Sequence, residues 1–197
     1  MIYLIRHTTP AIDKGICYGQ ADLDVTSSFL EEAAIVRLYL PAGIQRIYSS
    51  PLQRCHKLAA WLFPKHELML DDDLKELHCG EWELKKWDAI AKHEIDPWMN
   101  DFVNHQVPGG ESYVQLYERT VNCFTRIAMQ EKPAAIFTHG GVIRSILSYI
   151  TRTPLSDSFA VFKPHYGCVV KIGLQNGNYQ HEIISNISAC IEQHRQV

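Results

Sequence analysis

The sequence has no long apolar run. Its N-terminal hydrophobic stretch, residues 1–5, stops at Arg6 and His7, far short of the roughly 20 residues that span a bilayer and of a signal peptide's apolar region. There is no C-x-x-C pair either: the six cysteines stand at 17, 55, 79, 123, 168 and 190 without regular spacing. That argues against a zinc site and a secreted disulfide framework, so reduced thiols in the cytoplasm are the expectation. Positive charge is not in excess. Nineteen Lys and Arg against 22 Asp and Glu leave a net charge of −3, which disfavours a nucleic-acid binder with a broad basic face. No stretch is of low complexity. With 46% hydrophobic and 21% charged residues, the 197-residue chain reads as one folded domain, or one domain with an insert. A small anion could still find a local cluster of cations. Ten histidines are the one surplus.

Residues 1–5, 45–49 and 134–138 read as strands, the first and last as continuous apolar runs of the kind buried in parallel sheets. Residues 26–40 carry apolar side chains at helical spacing, and Ser28 with Glu31 suggests a capping box. Further helices are expected after Pro51, through Leu62 to Phe63, over 111–129 and over 142–150. Residues 167–174 and 179–185 read as two strands joined by Gln175-Asn176-Gly177-Asn178. Strands alternating with helices predict a three-layer α/β/α sandwich with a mainly parallel sheet and an antiparallel edge. The segment 87–110 fits neither period. It reads as an insert, with Lys92 set against Asp88, Glu94, Asp96 and Asp101, and with Trp87, Trp98 and Phe102 interleaved; those aromatics would either face the core or line a lid.

Two strands end in a histidine where the chain turns toward a helix: Ile5-Arg6-His7-Thr8 and Thr138-His139-Gly140-Gly141. A third delivers Ser49-Ser50-Pro51-Leu52-Gln53-Arg54, with Arg54 in the first turn of the next helix. Open α/β sheets bind ligands beyond the carboxyl ends of their strands. One strand-end histidine is most often a packing residue; two, with two arginines from separate segments, point to an anion that offsets the repulsion between the guanidinium groups.

These residues resemble the histidine phosphatase superfamily, the phosphoglycerate mutase-like fold. The resemblance is carried by Arg6-His7-Thr8, by residues 49–54, by residues 74–83 (L-K-E-L-H-C-G-E-W-E), by Pro108-Gly109-Gly110-Glu111-Ser112, and by residues 138–144 (T-H-G-G-V-I-R). Arg6-His7-Thr8-Thr9-Pro10, followed by Cys17-Tyr18-Gly19-Gln20-Ala21-Asp22, is most similar to the α-ribazole-5′-phosphate phosphatases of cobalamin biosynthesis. Thr8 stands where many members have glycine, as in that branch, and Leu84 stands where glycine often follows the Trp-Glu pair. The resemblance implies one domain over 1–197 with a lid-like insert at about 84–110.

The implied chemistry is phosphomonoester hydrolysis through a phosphohistidine on His7, with Arg6, Arg54 and His139 around the equatorial oxygens. Glu76 would be the general acid and then the base that activates water, a role that calls for a buried carboxyl. Thr8, Thr9 and Gln20 are expected near the substrate, with Gly140 and Gly141 letting backbone approach the phosphate, the Gly141 amide as a donor. No metal and no cofactor is implied. Arg144 is expected to be structural, and Glu111 and Ser112 to cap a helix. His78 and His165 are placed at the pocket border, and His56, His66, His93, His105, His181 and His194 in surface or packing roles. The implied partner is a small phosphomonoester, with no nucleic acid and no membrane; the oligomeric state is left open. An acidic, aromatic insert disfavours a second phosphate and so favours a phosphatase over a mutase. A broad-specificity phosphatase, a phosphoglycerate mutase or fructose-2,6-bisphosphatase-like enzyme, and a non-catalytic phosphate-binding protein are the alternatives.

Overall fold

The computed structural model describes residues 1–186; Cys190 and His194 lie outside the described residues. In chain order the elements are β1 (Ile2–Arg6), α1 (Phe29–Leu38), β2 (Arg46–Ser49), α2 (Gln53–Leu62), β3 (Leu68–Leu70), α3 (Lys92–Asn100), α4 (Tyr113–Ala128), β4 (Ala134–Thr138), α5 (Gly140–Thr151), the one-turn α6 (Ser158–Val161), β5 (Val169–Gln175) and β6 (Asn178–Ser185). Six strands form one sheet in the order β3-β2-β4-β1-β5-β6. The first four of that order are parallel, and β5 and β6 are antiparallel. The fold is the three-layer sandwich with an antiparallel edge that the alternation of strands and helices predicts.

Successive strand residues face opposite layers, and the buried side chains sort accordingly. Ile2, Leu4, Ala134 and Ile136 pack with Leu116, Phe124, Ile143 and Leu147 of α4 and α5. Tyr3, Ile5, Ala135 and Phe137 pack with Ala33, Val36, Leu58 and Leu62 of α1 and α2. The central strands are apolar throughout because both of their faces are covered. The chain therefore leaves β1 toward one layer and β4 toward the other. Since β1 and β4 are neighbours, with Arg6 opposite Thr138, a crevice opens between their carboxyl ends.

One local expectation changes, and one strand goes unread. Strand β3 is too short and too exposed to leave a pattern. The Ser28–Glu31 capping box does not form: Ser28 already has helical backbone angles, and its hydroxyl donates to Glu32 at 2.6 Å instead, whereas a side-chain cap needs an extended residue there. The capping box that does form is Ser112 with Gln115 at the start of α4. The terminal hairpin closes as read. Asn176 and Gly177, both at positive φ, make a two-residue turn between the paired Gln175 and Asn178.

Within 84–110, α3 lies against a small separate core. Trp98 meets Trp82 edge-on at 5.7 Å and stacks with Trp87 at 6.0 Å. The Trp82 indole donates to Glu94 at 3.0 Å, which ties α3 to the preceding loop. Among the described residues, no helix is long and apolar enough to cross a membrane.

Candidate active site

The strand ends bring four of the motif side chains into one buried cluster. Arg6 is the last residue of β1, and His7 follows with its amide bonded to the Thr138 carbonyl at 3.0 Å. His139 follows β4, and its ring centroid lies 5.1 Å from that of His7. From the third strand end, Ser50 places its hydroxyl 2.9 Å from His139 Nε2. Arg54, in the first turn of α2, donates to the carbonyls of Gly19 at 2.7 Å and Ala21 at 2.8 Å. Arg6 donates to the Pro164 carbonyl at 2.6 Å, and its guanidinium lies 4.2 Å from the Tyr166 ring centre. Arg6, His7, Arg54 and His139 are all buried.

Electrostatics fix the state of the two imidazoles. Burial, with Arg54 and Arg6 beside it, holds His7 well below the usual histidine range. Burial also pulls His139 well below it, helped by Arg54, His7 and Arg6. His7 Nδ1 lies 2.7 Å from the Thr8 carbonyl, which as an acceptor requires the ring proton on Nδ1. Nε2 then carries the lone pair, and it is buried without a hydrogen-bond partner. A neutral imidazole with a free Nε2 between two guanidinium groups can attack an electrophile that carries negative charge.

Glu76 faces this cluster. Its carboxyl oxygens each lie 3.2 Å from the Gly141 amide nitrogen, and Oε1 also accepts from the Leu77 amide at 3.0 Å. A Cβ on Gly141 would overlap Glu76 Oε1 and come within 3.0 Å of Leu116. Glycine at 141 is what lets the carboxyl reach the start of α5. Among the described residues, no group of three or more His, Cys, Asp or Glu is placed to hold a metal ion.

The sequence profile described as "Histidine phosphatase superfamily (branch 1)" matches residues 2–186. The chain belongs to that superfamily. It is 31% identical over 163 residues to the metal-independent phosphoserine phosphatase of Arabidopsis thaliana, covering 77% of this chain and 68% of that protein. It is 30% identical over 139 residues to phosphoglycerate mutase-like protein 4 of the same plant, covering 65% and 60%. The α-ribazole phosphatase of Shigella flexneri shares the fold with a TM-score of 0.84 at 19% identity, covering 92% of this chain and 94% of that one.

Other residues of this histidine phosphatase fall less evenly. Thr8 is buried beside His7, its hydroxyl without a hydrogen-bond partner. Thr9 has both amide and hydroxyl bound to Glu32, at 2.9 and 3.1 Å, so its polar atoms serve the link to α1. The Gln20 side chain donates to the Glu76 carbonyl at 2.9 Å, close to the site but engaged with its scaffold. Gly140 and Gly141 begin α5; the Gly141 amide, expected as a phosphate donor, instead holds Glu76. Ser112 caps α4 as expected, whereas Glu111 pairs with Arg119 at 2.5 Å. The half-exposed His78 ring lies 4.0 Å from Glu83.

Four features escape the motif reading. Ser50 lies within the quoted residues 49–54, but only the fold turns it to His139. Tyr18 and Tyr166 join their hydroxyls at 3.0 Å over the two arginines. Glu76 also lines a pocket together with Tyr18, Trp87, Trp98, Tyr113, Phe159 and Arg144. Arg144 donates from Nε to the Phe162 carbonyl at 3.1 Å and lies 4.3 Å from the Phe159 ring centre, while Nη1 is buried without a hydrogen bond. Burial and nearby Arg6 bring its guanidinium down to about 10.

Proposed function

We propose that this protein hydrolyses small phosphomonoesters through a phosphohistidine at His7. The reading is carried by the unpartnered His7 Nε2: burial beside Arg54 and Arg6 keeps the ring neutral, and the Nδ1–H bond to the Thr8 carbonyl keeps its proton off Nε2. Nε2 attacks phosphorus in line, forming the N–P bond as the ester P–O bond breaks. Arg6, Arg54 and His139 stabilise the equatorial oxygens, where losing one donor typically costs about 10²–10³ in rate. Glu76 gives its proton to the leaving oxygen, then takes one from the water that cleaves the N–P bond. The insert over 84–110 serves as a lid-like wall on the leaving-group side.

For the substrate, the motif pattern supports α-ribazole 5′-phosphate, and an aromatic pocket beside Glu76 suits its flat base. A second reading, a monoester with a carboxylate such as phosphoserine, is favoured by the buried Arg144 Nη1 facing no acceptor. The test is kcat/KM for α-ribazole 5′-phosphate, phosphoserine, 3-phosphoglycerate and a nucleoside monophosphate, in wild type and in Arg144→Leu. Preference for α-ribazole phosphate, unchanged in the variant, supports the first reading. Preference for the carboxylated esters, lost in the variant, supports the second. His7→Ala should fold yet neither turn over nor trap phosphate; substantial residual hydrolysis would overturn the phosphohistidine itself.

A further inference from the structure

The segment carrying Glu76 lies between two short 3-10 turns, Asp72–Leu74 and Gly80–Trp82, yet its backbone is pinned. Arg119 Nη1 donates to the carbonyls of Asp73 at 2.8 Å and Lys75 at 2.9 Å, and Nη2 donates to that of Glu76 at 2.9 Å. The Leu74 carbonyl accepts from the Thr138 hydroxyl at 2.7 Å, and Gln20 shares the Glu76 carbonyl. Four consecutive carbonyls are therefore held by side chains, three of them by one guanidinium. Glu111 orients that fork, accepting from Nε at 3.0 Å and from Nη2 at 2.5 Å. The same Glu111 carboxylate accepts the His78 amide at 2.8 Å, so the pair grips the chain on both sides of Glu76.

We infer that Arg119, oriented by Glu111, is a positioning residue that aims the Glu76 carboxyl at the leaving-group oxygen. This rests on the reading of Glu76 as general acid and base. The amides of Gly141 and Leu77 orient the carboxyl only while the Glu76 backbone keeps its place, and a displacement of about 1 Å can cost 10²-fold. Lysine cannot replace the arginine. Three carbonyls in different directions need a planar fork with several donors, and an ammonium on a flexible stem settles on fewer. Arg126, two turns further along α4, pairs instead with Asp71 and lies 3.7 Å from Asp73 Oδ2; its partners are side-chain carboxylates, not the backbone carbonyls that carry Glu76.

The role separates from plain stabilisation through leaving-group dependence. Glycerol 2-phosphate needs its leaving oxygen protonated, and p-nitrophenyl phosphate hardly does. The experiment measures the ratio of kcat/KM on the aryl ester to kcat/KM on the alkyl ester, which excludes the shared hydrolysis of the phosphohistidine, in wild type, Glu76→Gln, Arg119→Met, Arg119→Lys, Glu111→Gln and Arg126→Leu. Glu76→Gln should raise the ratio by at least about 10²-fold. Arg119→Met should raise it about 30-fold and Arg119→Lys about tenfold, with Arg126→Leu near wild type. Glu111→Gln, nearly isosteric, should raise it about fivefold and keeps the test available if Arg119→Met does not fold. If Glu76→Gln moves the ratio and neither the Arg119 nor the Glu111 variants do, the positioning role is wrong while the acid role stands. If Glu76→Gln leaves the ratio unchanged, the acid reading fails and the inference falls with it.

Discussion

Gly141→Ala should separate activity from stability. Residue 141 is the second residue of α5, at a backbone conformation open to alanine. In a helix interior, alanine gains about 1 kcal/mol over glycine, and somewhat less in a first turn. Against this, the added methyl overlaps Glu76 Oε1 and approaches Leu116 Cδ2 at 3.0 Å, and overpacking of this kind costs about 1–3 kcal/mol. The net change should lie between roughly zero and a 2 kcal/mol loss, at about 2–4 °C per kcal/mol for a chain of this size. The carboxyl has no comparable margin. It must leave its place beside the Gly141 amide, and with it the leaving oxygen, at a cost of about 10²-fold or more on alkyl phosphates. Calorimetry and steady-state kinetics on glycerol 2-phosphate and p-nitrophenyl phosphate read both quantities. An alkyl kcat/KM within threefold of wild type in a folded variant would refute the reasoning, as would equal losses of kcat/KM on the two esters.

Two further outcomes follow from other parts of the molecule. His7 and His139 bind protons less readily folded than unfolded, so below about pH 6.5 the unfolded chain gains protons that the native state does not. Stability should therefore fall with falling pH by about 1.4 kcal/mol per unit for each histidine; denaturant titrations from pH 7 to 5.5 should show the slope, and His7→Gln should lose about half of the pair's contribution, an unchanged slope counting against it. Leu84 sits at φ 65° with its side chain exposed, a left-handed conformation that costs about 1–2 kcal/mol for a residue with a Cβ. Leu84→Gly should relieve that strain and lose about 0.4–1 kcal/mol to unfolded-chain entropy, for a net gain between roughly zero and 1.6 kcal/mol; a lower melting temperature would contradict it.

What the sequence made legible depended on how local the cause was. Strands β1 and β4 were readable because burial on both faces leaves an uninterrupted apolar run, and such a run stopping at Arg-His or Thr-His marks the strand end. Leu84 stands where the resemblance expects a glycine, and that departure alone did not say that its backbone is left-handed. Contacts that join distant segments left no such mark. Glu111 and Arg119 lie eight residues apart, and nothing in that spacing says that the guanidinium reaches back across more than 40 residues to the carbonyls at 73, 75 and 76. Arg144 looked structural because it sits a turn into a helix, and its Nε bond to Phe162 agrees. Its pocket face exists only because Trp87, Trp98 and Phe159, from three other segments, are folded around it.

The cations that would bind a phosphate also prepare the nucleophile. Arg6, Arg54 and Arg144 are buried near one carboxyl, Glu76, so this region carries +2 with Glu76 ionised and +3 with it protonated, inside a chain of net charge −3. Taking guanidinium groups out of water costs several kcal/mol per ion, and carbonyls from Gly19, Ala21, Pro164 and Phe162 offset only part of that. Burial, with this positive charge beside it, holds the two imidazoles neutral. Neutrality is what His7 Nε2 needs in order to attack phosphorus. On the proposed mechanism Glu76 is protonated when the ester binds, so a phosphate dianion would cancel two of the three positive charges, and the arginines would need no reorganisation as its oxygens gain charge in the transition state. On the proposed reading, one arrangement of buried charge would give both affinity for the ester and a free lone pair for its phosphorus. Thr8 fits the same logic: its backbone carbonyl accepts a hydrogen bond from Nδ1–H and so keeps the ring proton off Nε2.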